Sequence, residues 1–419
     1  MKNKIITAGL VMAGAAGLQT VMAATDDVAA PKFWSISGTL RGFYDDNYTA
    51  GSGKDKKGSW GSEVSPTISL NKPLRQTDIG LRYIYGLYYY AAREHSPFDQ
   101  THQVDVWLDH SFNERWKANF KDTVAVGQEP ELLDANVPYR VNGNNLANRG
   151  SVTLNTDWTR LFSTELVYGN NFYDYQDRNG TTNAPSRAGL LNRVEQNASI
   201  DLQWHLQAET MAFIGYQLGL ANYIGDEAIG FGPKGVYYSR DKDSLSHYAY
   251  VGVQHQFTAN LSAKVSGGVN YFENYNDPID TTGKWSPYAD VSANYTYAQG
   301  SYVHIGFNHS MNATDVGSVT ANGSLTQSQE SSVLTLDINH SITQKLMASL
   351  VGRAALSTYN GGAFDGKTDQ VYGIGANLHY QINRHFGVDA GYNFDHLLSD
   401  VSGRGYERNR VYMGFGATY

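Results

Sequence analysis

The sequence predicts an all-β chain folded as a transmembrane, antiparallel, up-and-down β-barrel of about 18 strands, with about 16 as the nearest alternative count. Three observations carry this. Apolar and polar residues alternate over long runs, tight turns join the runs in pairs, and longer loops rich in Gly, Asn and Asp join them on the other side.

Composition frames the reading. The chain has 419 residues, no Cys, 17% charged residues, 30 Tyr and a net charge of −8. The missing thiols exclude a disulfide framework, thiolate metal sites and Cys nucleophiles. The acidic balance argues against nucleic acid, which selects a basic face. Tyr, Phe and alternating aliphatics are too plentiful for a disordered chain. A mean hydropathy of −0.43 does not fit a helical membrane protein. A membrane barrel is compatible with it, because its lumen and loops dilute the apolar face.

The first 23 residues read as a secretory signal. Lys2 and Lys4 precede a short apolar run from Ile5 to Leu18, and Val21-Met22-Ala23 offers a cut after Ala23. Residues 24–32 are then a short N-terminal segment, and 33–419 the barrel. Beyond Ala23 no apolar run approaches the ~18 residues of a helical span.

The strands follow from strict period-two alternation. Val104, Val106 and Leu108 alternate with Gln103, Asp105, Trp107 and Asp109. Leu334, Leu336 and Ile338 alternate with Thr335, Asp337 and Asn339. The same rhythm runs through Tyr372 to Tyr380 and Phe386 to Asp395. Runs of ~12 residues exceed the usual soluble strand and suit a tilted membrane crossing. Tight turns are expected near Lys72-Pro73, Asn113 to Arg115, Thr159-Arg160, Leu206-Gln207, Thr258 to Asn260, Gln299-Gly300, Thr343-Gln344 and Asn383-Arg384. Long loops are expected at 51–58, 128–148, 177–189, 225–243, 312–328 and 361–367. A β-propeller has a similar period, but none of the seven Trp is followed by Asp, and blades need four short strands. Rings cluster at both ends of the runs: Trp34, Trp116, Trp158, Phe257 and Phe386 at one, Tyr44, Tyr89, Tyr168, Tyr271, Trp285 and Tyr372 at the other. Two interfacial girdles would place them so.

The final strand, Tyr412 to Tyr419, alternates and stops on an aromatic. It resembles the C-terminal assembly signal of outer-membrane barrels, with Gly414 and Tyr419 as its marks and Tyr in place of the commoner Phe. Phe43-Tyr44-Asp45-Asp46-Asn47-Tyr48, Ser65 to Leu70, Thr77 to Tyr83, Asp99 to His102, Ser111 to Arg115 and Lys121-Asp122 resemble the putative β-barrel porin family of Gram-negative bacteria. The resemblance covers the first third in detail and the rest as hairpin rhythm. It implies an outer-membrane channel handled by the barrel assembly machinery, with no catalytic residue and no cofactor. A homotrimer is an open arrangement, for which the Ala348–Ala355 run is a faint candidate face.

A barrel of this width is not filled by side chains, so an aqueous lumen is expected. Basic inward candidates are Arg41, Arg82, Lys117, Lys121, Arg408 and Arg410, with Arg41 and Arg410 near mid-height. Loop 128–148 carries Glu129, Glu131 and Asp134. By likeness to the classical trimeric porins, it would fold inward and face the Arg41/Arg82/Arg410 wall as a constriction. The plainer reading pairs these arginines with Asp105 and Asp109. Asp226-Glu227 and Asp241-Lys242-Asp243 share one loop and could hold a cation, though a solvated loop is the plainer account. No His-Glu-x-x-His, P-loop or Gly-x-Ser-x-Gly occurs, so nothing nominates an enzyme. The expected function is passive diffusion of small hydrophilic solutes across an outer membrane. The alternative is a non-conducting barrel acting as adhesin, receptor or scaffold through its outer loops.

Overall fold

The computed structural model describes residues 33–128, 145–178 and 185–419. The proposed signal and the 24–32 segment lie outside them. In chain order the strands are β1 (Trp34–Asp45), β2 (Ser59–Pro73), β3 (Thr77–Tyr90), β4 (Phe98–Ser111), β5 (Trp116–Gly127), β6 (Asn145–Asp157) and β7 (Phe162–Asp174). A five-residue helix, α1 (Arg187–Leu191), precedes β8 (Arg193–Gln207) and β9 (Thr210–Tyr223). Next come β10 (Ala228–Gly232), β11 (Gly235–Tyr238), β12 (Ser244–Thr258), β13 (Leu261–Glu273), β14 (Lys284–Ala298) and β15 (Ser301–Ala313). The last five are β16 (Thr326–Ser341), β17 (Leu346–Gly361), β18 (Thr368–Gln381), β19 (Phe386–Ser399) and β20 (Tyr406–Thr418).

Eighteen of these strands form one antiparallel sheet, and β10–β11 form a separate hairpin inside the loop between β9 and β12. Each wall strand pairs with its neighbours in sequence, and β1 pairs with both β2 and β20, which closes the cylinder. Closure removes the sheet edge that lipid could not satisfy. The terminal residue helps to seal it: Tyr419 N–H donates to Ile36 O at 2.9 Å, and the Tyr419 ring lies 5.7 Å from that of Trp34. All eight expected tight turns lie on one rim. The opposite rim carries the long loops, including three at 91–97, 274–283 and 400–405 that the sequence reading passed over.

Alternation sorts the two faces. On β1, Ile36 and Leu40 are exposed outward, while Arg41, Phe43 and Asp45 are buried inward. The outward belt keeps large apolar groups accessible on almost every strand, among them Ile68, Ile79, Leu202, Ile214, Val251, Val265, Leu334 and Met413. In water such a surface would aggregate, whereas in a bilayer it is solvated. Where bulky inward rings lie along the wall, glycine makes the space. A Cβ at Gly80 would collide with the Trp107 ring across the β3–β4 ladder. Gly80→Val should therefore overpack the site by about 1–3 kcal/mol and lower the temperature at which the folded barrel loses its fast gel mobility. An unchanged transition would mean that the Trp107 ring moves aside freely.

Candidate pore constriction

The inward basic residues are placed by strand parity and held by wall carboxylates. Arg41 Nε donates to Asp389 at 2.9 Å, its Nη1 stands 3.7 Å from Glu63, and its guanidinium lies over the Tyr412 ring. Gly414 faces it across the closing seam, where any Cβ would strike the Arg41 stem. Arg82 bonds Asp105 through Nε and Nη2 at 2.8 and 2.7 Å. Arg408 and Arg410 both donate to Asp45 Oδ2, at 2.6 and 3.0 Å from their Nη2 atoms. Asp109, offered as an arginine partner by the sequence, instead accepts from Asn119. Arg410 also needs its height corrected. It is in register with Asp45, whereas Arg41 is in register with Gly414, so Arg410 sits four residues nearer the long-loop rim.

A second basic strip is less neutralised. Lys117 and Lys121 point inward from β5 and are exposed. Arg149, which sequence reading missed, joins them from β6, in register with Thr123, and its Nε has no hydrogen-bond partner among the described residues. Glu129, Glu131 and Asp134 of loop 128–148 lie outside the described residues.

The described residues do place another segment across the mouth. Residues 314–325, between β15 and β16, meet loops that rise from distant parts of the wall. Arg404, before β20, donates to Asp315 and Asp369 at 2.6 Å each. Lys242, at the foot of β12, donates from Nζ to Thr314 O at 2.8 Å and lies 3.4 Å from Leu190 O and Val316 O. Its ammonium also lies over the Tyr223 ring at 4.8 Å. An apolar knot surrounds these polar contacts: Leu190 and Leu191 of α1, Ile229 of β10, Tyr237 of β11, Tyr173, Tyr175 and Leu325 are all buried together. In ring order the β15–β16 loop is six strands from the β7–β8 loop and four from the β19–β20 loop. Six strands span ~29 Å of wall, so these loops meet by reaching over the lumen.

The electrostatics of this hub follow from burial. Burial alone would raise the Asp315 pKa, but Arg404, with Arg187 and Lys242, holds it below the ordinary carboxylate range. Burial pushes Lys242 down to about 7, with Arg193 adding to the drop and Asp315 opposing it. Arg404 keeps a raised pKa despite burial, through Asp315, Tyr359 and Asp369. Lys242 is 1% exposed, which overturns its reading as part of a solvated loop. Asp226 and Glu227 pair with Arg240 and Arg178, and the Asp226–Arg240 pair is exposed, as the solvated-loop account has it. Hub contacts join residues tens of positions apart, and no local motif signals them. The available sign was the greasy Leu190-Leu191 and Ile229 inside otherwise polar loops.

A closed wall, greasy outside and polar inside, capped at one end by long loops, defines an outer-membrane β-barrel of the porin class. A family model described as Putative beta-barrel porin 2 matches residues 36–419, and the chain belongs to that family. Its place is the outer membrane of a Gram-negative bacterium. No curated protein matches it. Among solved structures it is similar to OccAB4 of Acinetobacter baumannii (10% identity, TM-score 0.44, covering 92% of this chain and 98% of that one). It is also similar to OccK11 of Pseudomonas aeruginosa (14%, 0.44, 92% and 96%). A third is a BenF-like porin of Pseudomonas fluorescens Pf-5 (11%, 0.44, 93% and 99%).

Proposed function

We propose that the protein is a passive diffusion channel for small hydrophilic solutes, narrowed at its outer mouth by the loop hub around Asp315. The observation that carries this is the closed 18-strand wall with a polar inward face, since a barrel this wide encloses water rather than a side-chain core. Fixed charges on the wall would filter solutes by sign. Arg41, Arg82, Arg408 and Arg410 contribute weakly, because wall carboxylates partner each of them. Lys117, Lys121 and Arg149 contribute more, and favour anions. Loop 128–148, with Glu129, Glu131 and Asp134, remains part of this proposal as a second source of selectivity, and Gly414 and Tyr419 as its assembly signal.

Reversing the exposed pair, Lys117→Glu with Lys121→Glu, should move the zero-current potential in a salt gradient toward cation preference. Arg41→Ala with Arg82→Ala should move it less. Equal shifts would mean that the paired arginines, not the β5 lysines, dominate the field. One observation favours a second reading, a barrel closed at rest that works through its outer loops: the hub is almost fully dry, with Lys242, Asp315 and Arg404 buried. Single-channel recording of the folded protein separates the two, because a closed barrel gives no current steps.

A further inference from the structure

The lumen wall changes character between β7 and β14. Near the closing seam the inward carboxylates Asp45, Asp105 and Asp389 each meet an arginine. Across the lumen from the seam, one in-register row runs Glu165 (β7), Asp201 (β8), Gly215 (β9), Tyr250 (β12), Gly268 (β13) and Tyr288 (β14). Its chain neighbours Ile200, Ile214 and Val251 are exposed on the outer face, so parity turns the row inward. Tyr250 stands near the middle of β12, midway along the lumen. Glycines give the rings room. A Cβ at Gly215 would strike the Tyr250 ring, which therefore lies along the wall. Gly268 separates Tyr250 from Tyr288, and the two ring centroids stand 5.3 Å apart. One row nearer the short turns, Phe213 lies over Gly252 in the same way, 6.3 Å from Tyr250.

The groups at the edges of these rings include both acceptors and a donor. Asp201 Oδ1 accepts from the Tyr250 hydroxyl at 2.6 Å, which fixes that ring. Glu165, in register with Asp201, accepts no hydrogen bond among the described residues. Lys264 Nζ lies 4.9 Å from the Phe213 centroid and makes no hydrogen bond or ion pair among the described residues. Glu165, Tyr250, Lys264 and Tyr288 are half-buried, so each keeps a part open to the lumen. An anion entering here would meet the carboxylates, and a simple cation would meet Lys264. A hydroxyl suits both, because it donates to a carboxylate and accepts from an ammonium. The C–H face of a sugar ring also stacks on the electron-rich face of an aromatic one. We propose that this strip is a subsite for short uncharged sugars, with Tyr250 and Tyr288 as the platform and Glu165, Asp201 and Lys264 as hydroxyl partners. It deepens the channel reading, from which it takes the water-filled lumen.

Maltose and sucrose are the probes, with choline as a cation that stacks on rings. In planar bilayers either sugar should interrupt the current reversibly. Calorimetry of the detergent-folded barrel should report the same binding with no current needed, so the subsite and the channel fail separately. Tyr250→Ala and Tyr288→Ala should each weaken sugar binding about tenfold, with the heat-modifiable mobility of a folded barrel kept. Glu165→Gln should weaken it several-fold. That change breaks no hydrogen bond among the described residues, so it carries the test if the tyrosine variants do not fold. Folded barrels that bind neither sugar would overturn the subsite, whether or not they conduct. Folded barrels that bind sugar and never conduct would overturn the channel alone. Sugar affinity unchanged in all three variants, or choline bound more tightly than either sugar, would also overturn the subsite.

Discussion

Replacing Arg404 by Met should open the mouth. The guanidinium holds two carboxylates, Asp315 and Asp369, at 2.6 Å each, and both are buried. Removing one partner of a buried ion pair costs about 3–5 kcal/mol, because the other charge is left without compensation. The wall strands keep their ladders, so the cost falls on the loop contact. Asp369 retains Tyr359 and Ser399 as donors, but Asp315 depends on Arg404 for its one ion pair among the described residues. Segment 314–319 should then leave the mouth, raising the open fraction by a factor on the order of 10² or more. Single-channel conductance should rise while heat-modifiable mobility persists. The double variant Arg404→Met/Asp315→Leu should recover much of the closure, since an apolar pair of similar bulk is often neutral in such a site. If the double variant conducts as freely as the single one, the charge pair is not what holds the loop.

The second large effect is a pH dependence centred on Lys242. Its ordinary pKa is about 10.4, and burial in the hub lowers it to about 7. Between these values a released hub binds more protons than a closed one, so closure strengthens as pH rises from about 7 to about 10. Below about 7 both states are charged and this contribution is flat. Asp315 acts in the opposite range. Its depressed pKa stabilises the closed hub above the ordinary carboxylate value near 3.9, and that support is lost as pH falls below it. Conductance should thus fall between pH 7 and 10 and rise again in strong acid. Lys242→Met should abolish the alkaline limb and leave the acid one. An alkaline limb that survives in Lys242→Met would place the titrating group elsewhere.

The wall was legible in the sequence because its code is local. Period-two alternation at Val104 to Asp109 or Phe386 to Asp395 is imposed by lipid on one side and water on the other, and each strand states it independently. Tight turns were equally readable, since each one reverses a pair of such runs. The partners of the inward arginines were harder. Arg82–Asp105 lies on adjacent strands and could be guessed, whereas Arg41–Asp389 crosses the closing seam between chain ends and depends on register. Least legible was the hub. Lys242, Thr314 and Arg404 meet because three loops converge over the lumen, and a loop rich in Asp and Gly looks the same whether it waves in solvent or folds inward.

Planar-bilayer recording of the purified, folded protein tests the central claim most directly, with wild type and Arg404→Met measured side by side. A water-filled lumen restrained by the hub predicts discrete current steps from both, larger or more persistent in the variant. Inserted, heat-modifiable barrels that pass no current in either form would contradict it.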